Sequence, residues 1–151
     1  MLFCVFVFFM AIKYRKYPYI LLAVLGFAWF ALSDMRDSVE PLIKAQLAGT
    51  LDKLVLLILT VLLWFFALRS RTDKNLLASA IVCSAGSVVR LVRTFVIDLV
   101  PEMMLRNGAD ILAITKGFSL TVSVIDSVIY ILVIVSFALL YLSMLRNHDS
   151  V

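Results

Sequence analysis

The chain has 151 residues, of which 64% are hydrophobic and only 16% charged, with a formal net charge of +4. A soluble domain runs at about half apolar and about a quarter charged, so this composition points to the membrane and away from a soluble enzyme or binding module. The Lys and Arg surplus forms no basic cluster interleaved with exposed aromatics. It marks the ends of apolar blocks, which argues against a nucleic-acid partner.

The first apolar block, residues 1–12, would cover only about 18 Å as a helix, short for a crossing. It has no basic n-region and no small-residue cleavage site, so it reads as a short span and not as a removable signal. Lys13, Arg15 and Lys16 with Tyr14, Tyr17 and Tyr19 then form an interface pattern, snorkelling cations beside an aromatic belt. A second short block, residues 19–33, is closed by Asp34, Arg36 and Asp37. Ser38, Glu40 and Pro41 carry a helix-start signature. The helix that follows is amphipathic through Lys44, Gln46, Asp52 and Lys53, and its span is predicted over residues 54–68. Residues 69–74 read as a tight polar turn.

The fourth span is predicted over residues 75–101, ending at Pro101. Residues 102–110 read as a loop, with Asn107 and Gly108 at its turn and Asp110 as the next cap. A single helix over residues 111–145 would exceed any hydrocarbon core. An interfacial turn is therefore expected up to Lys116 and Gly117, with a span from residue 118 to about 142. Lys and Arg are densest in the first and third gaps and at the C-terminus, which predicts those ends to be cytoplasmic and the N-terminus outside. The expectation is an all-α, multi-pass transmembrane helix bundle of about five spans forming one domain over residues 1–151. Its partners would be the lipid bilayer and other membrane subunits or further copies of itself.

At about 100° per residue, Ser79, Cys83, Gly86, Ser87, Arg90, Arg93, Thr94 and Asp98 share one side of the fourth span, and Ser84 lies well off it. A stripe with such charges must face away from lipid, where an unpaired charge costs at least a few kcal/mol. On the last span Lys116, Ser119, Ser123, Asp126, Tyr130 and Tyr141 fall within about 80° of one another. Asp126 matches the arginines in depth and is the expected counter-ion, with Arg90, at the centre of the stripe, as its closer partner. Arg90, Arg93, Asp98 and Asp126 thus form the candidate network, either a structural ion pair or a proton, ion or anion site. Ser79, Cys83 and Ser87, at four-residue spacing with Gly86 beside them, are a ridge for close helix packing.

The run of residues 88–95 is superficially similar to the arginine repeat of voltage-sensor helices. Its next third position is Val96, however, and the inferred direction is opposite. No HExxH, GxSxG or P-loop pattern is present, which argues against an enzyme. Cys4 and Cys83 sit apart in apolar blocks as small buried hydrophobes. His148 is the lone histidine, so bis-histidine haem ligation within one chain is excluded, and no metal or other cofactor is expected. The function these features predict is that of a non-enzymatic subunit or accessory protein of a membrane complex. The alternative is a small-solute or ion transporter or channel with its site at the Arg/Asp network.

Overall fold

A computed structural model describes residues 2–38, 42–70, 73–106 and 111–146, with side chains placed over 2–34, 50–70, 73–96 and 119–146. The described residues form five helices: α1 Leu2–Lys13, α2 Tyr17–Ser38, α3 Leu42–Arg69, α4 Lys74–Arg106 and α5 Ile111–Arg146. Four of them hold apolar stretches long enough to cross a membrane, Tyr17–Asp34, Thr50–Arg69, Lys74–Val96 and Ser119–Arg146, while α1 is shorter. The protein is an all-α, multi-pass membrane bundle. Helices are the form such a chain must take, because lipid offers no partner to a free backbone N–H or C=O.

Three boundaries differ from the sequence expectation. Helix α4 passes through Pro101 and ends at Arg106. A proline forfeits one backbone hydrogen bond and crowds one carbonyl, a cost that helix on both sides outweighs here. Helix α5 runs unbroken through Lys116 and Gly117, since one glycine costs only about 1 kcal/mol relative to alanine. Helix α2 continues past Asp34 to Ser38, through the charges expected to close it, and Asp52 and Lys53 lie within the continuous helix α3. Ser38, expected to cap α3, is the last residue of α2, while Glu40 and Pro41, the turn at Asn107 and Gly108, the cap Asp110 and the histidine His148 fall outside the described residues.

The connections are built from local chemistry. Lys16 N–H donates to the Ala11 carbonyl (2.9 Å) and Arg15 N–H to the Ile12 carbonyl (3.1 Å), closing α1 with a Schellman motif. Arg15 takes φ 52°, the left-handed position where glycine is usual. At the other hairpin Asp73 caps α4, its Oδ1 accepting from the N–H groups of Asn75 (3.0 Å) and Leu76 (3.2 Å). Its Oδ2 accepts from the Ser143 hydroxyl of α5. Lys13, Arg15, Lys16, Arg69, Lys74 and Arg146 therefore gather at one end of the bundle, the basic end.

The helices close into a ring in which α1 packs on α2 and α5, α2 on α3, α3 on α4 and α4 on α5, the last pairing being the most extensive. Helix α1 packs between α2 and α5 with the smallest contact of the five, and α4 and α5 form the largest pairing. Cys4, Val7 and Ala11 of α1 are buried there. The three helices meet at Gly26 of α2, where a Cβ would stand 2.3 Å from Phe137 Cζ and 3.0 Å from Cys4 Sγ. The glycine makes room for the fully buried Phe137 ring. Further along, Trp29, Phe30 and Tyr130 stack as a trio with ring centroids 5.0–6.0 Å apart. Tyr130 donates to the Ser33 hydroxyl (2.7 Å), tying α5 to α2.

Candidate functional site

Hydroxyl contacts set how the crossing helices face one another. In lipid, apolar burial gives helices little reason to associate, so close packing and hydrogen bonds decide the pairing. Ser79 of α4 and Ser136 of α5 bond reciprocally, Ser79 Oγ to the Ser136 carbonyl (2.8 Å) and Ser136 Oγ to the Ser79 carbonyl (3.0 Å). Thr60 of α3 meets Ser87 (2.8 Å) and Cys83 (3.3 Å) of α4. The small-residue ridge of α4 is thus shared: Ser87 meets α3, Ser79 and Gly86 face α5, and Cys83 lies between Thr60 of α3 and Ser136 of α5. A Cβ on Gly86 would stand 3.6 Å from Leu132 Cβ, an ordinary contact. Ser84, off the polar stripe, accepts from the indole N–H of Trp64 (2.7 Å) on α3.

These contacts hold α4 and α5 in one antiparallel register, with Asp73 beside Ser143, Ser79 beside Ser136 and Arg90 beside Asp126. Arg90 and Asp126 each lie 17 residues from the capping contact at the basic end, which is about 25 Å of helix. With a hydrocarbon core of about 30 Å, the charges sit just below the interface at the end opposite the basic one.

There the structure brings together four charges from three helices. Arg90, 3% exposed, extends Nη2 to the Oδ2 of Asp52 and Nη1 to the Oδ1 of Asp126 (3.2 Å). Arg93 takes both oxygens of Asp126, with Nη2 on Oδ2 (2.7 Å) and Nε against Oδ1. Arg93 is therefore the closer partner of Asp126, and Arg90 is the bridge between α3 and α5. Two guanidinium groups and two carboxylates make the cluster neutral. That is the condition for burying it: removing one partner from such a group leaves a charge whose desolvation nothing offsets. The Arg93–Asp126 contact, one hydrogen bond from Nη2 with Nε in ion-pair range, adds an orientation that a lysine would not reproduce.

Asp52, fully buried, is the member that sequence reasoning missed. Hydropathy alone starts the span after it. A usable signal was its depth, 17 residues before Arg69 at the basic end, the same spacing that separates Arg90 from Asp73 and Asp126 from Ser143. Of the other expected positions, Thr94 bonds back to the Arg90 carbonyl (3.2 Å). Ser119 and Ser123 are exposed. The Asp98 and Lys116 side chains lie outside the described residues.

Both guanidinium groups engage protein carboxylates, so among the described residues the arrangement is an electrostatic clamp. Among the described residues no group of three or more His, Cys, Asp or Glu is placed to hold a metal ion. Cys4 and Cys83 are free and buried in separate parts of the bundle. The chain matches no protein-family model, no curated protein and no solved structure, so what can be said of its role rests on this geometry.

Proposed function

We propose that this chain is a non-enzymatic subunit or accessory protein of a membrane complex, acting through helix contacts within the bilayer. The observation that carries the reading is the self-neutralised cluster. Asp52 and Asp126 pair with Arg90 and Arg93 within one chain, which supports charges that lock three helices into one register and engage both guanidinium groups within the protein. A rigid body of this kind suits a scaffold against which other helices pack. Ser119, Ser123 and Ser127 recur at four-residue spacing on the exposed side of α5, the pattern that lets a neighbouring helix approach closely. The partner is then another membrane subunit or a second copy of this chain.

The same reading places the basic end and the C-terminus in the cytoplasm and directs the N-terminal end of α1 outward, following the Lys and Arg at Lys13, Arg15, Lys16, Arg69, Lys74 and Arg146. A second reading, a transporter or channel with its site at the cluster, draws on one observation: the Asp126 side chain keeps 19% of its surface exposed. Purification from native membranes in mild detergent separates the two. A stoichiometric partner, crosslinked through a cysteine at Ser123, supports the subunit reading. Solute uptake by the purified protein in vesicles, lost in Arg93→Lys with complex size unchanged, would overturn it.

A further inference from the structure

Beside the cluster, a cleft of about 40 Å³ opens between α3 and α4, lined by Lys53, Leu56, Leu57, Ser87, Arg90 and Leu91. That is room for about three waters or one phosphate group. Leu57 and Leu91 are exposed, so the cleft opens sideways, toward lipid. Its floor is Arg90, already engaged by Asp52 and Asp126. Lys53 is the cation left over: the four cluster charges cancel, and among the described residues Lys53 has no carboxylate partner. It lies 16 residues from Arg69 at the basic end, or about 24 Å of helix. From that depth its flexible stem carries the ammonium to the headgroup level of the opposite leaflet.

We propose that this cleft binds one anionic phospholipid, with the headgroup phosphate on Lys53 and an acyl chain along Leu57 and Leu91. The occupant follows from the chemistry of the lining. The cleft is reached from the bilayer and walled by leucines, which suits an acyl chain. At its mouth stands Lys53, which has no carboxylate partner among the described residues, with the Ser87 hydroxyl nearby, and among those residues no carboxylate lines the cleft to receive a choline. A lipid with net negative charge is therefore preferred over a zwitterionic one. Its binding would tie α3 to α4 from outside, next to the contact that Arg90 makes from inside.

The test uses the full chain in detergent, with phosphatidylglycerol, phosphatidylcholine or inorganic phosphate added, read by native mass spectrometry and thermal melts. The parent should retain one phosphatidylglycerol and melt higher with it than with phosphatidylcholine. Lys53→Gln should bind it about fivefold more weakly, the worth of one cation near a lipid surface. Its lipid-free melt should stay that of the parent, and Lys53→Arg should keep the preference. Leu91→Phe, which fills the acyl groove and leaves the charge, should also reduce retention. Equal retention of the two lipids by the parent, or unchanged phosphatidylglycerol binding by Lys53→Gln, would overturn the proposal. Protection by inorganic phosphate as strong as that by the lipid would overturn it too, since the site would then be one for a free anion.

Discussion

The pairing pattern of the four charges yields a prediction that net charge alone cannot make. Consider two double variants with the same formal charge, Asp126→Asn with Arg93→Gln and Asp126→Asn with Arg90→Gln. The first removes the Arg93–Asp126 contact and leaves Asp52 with Arg90, its closest cation. The second leaves Asp52 fully buried without Arg90, and Arg93 without the carboxylate it grips. Removing a buried pair as a unit should be nearly neutral, within about 1 kcal/mol, as the Asn and Gln amides can hydrogen-bond each other. Stranding buried charges should cost about 3–5 kcal/mol, most of it at Asp52, because Arg93 is 12% exposed and can reach toward the interface. Denaturant titration in mixed micelles, followed by tryptophan fluorescence, measures the difference, with Trp29 and Trp64 as reporters on α2 and α3. If the two double variants unfold at the same denaturant fraction, water reaches the charges or they pair otherwise, and the clamp is refuted.

The junction at Gly26 predicts that Gly26→Ala destabilises by about 1–3 kcal/mol through overpacking against Phe137. Gly26→Ala with Phe137→Leu should recover part of that loss in the same titration, whereas Gly86→Ala alone should cost little. At the α1–α2 turn, Arg15→Gly should stabilise by about 1 kcal/mol, since glycine adopts the positive φ without the Cβ clash; an unchanged melt would mean that the lost interface cation offsets the relief. For orientation, a cysteine at Ser70 should be protected from an impermeant thiol reagent in intact cells and one at Asp37 should react. The reverse pattern would place the basic end outside.

Class and helix count were legible in the amino-acid order because lipid restricts the options: a long apolar block must be a helix, and charges collect where blocks end. The stripe on α4 was legible as well, since 3.6-residue periodicity is a property of one helix by itself, and it put Arg90 and Arg93 on an inward face. What no single helix encodes is its depth in the bundle and its rotation toward its neighbours. Asp52 entered the cluster because α3 packs on α4 in the register that the Thr60 contacts to Cys83 and Ser87 set, which brings it to Arg90. Arg93 lies closer to Asp126 than Arg90 does because the Asp73–Ser143 and Ser79–Ser136 contacts slide α5 to a particular height along α4. Ser119 and Ser123 are exposed although they share a helical side with Tyr130 and Phe137, which pack against α2 further along α5. Each of these outcomes depends on contacts between residues tens of positions apart, whose geometry exists only once the ring has closed.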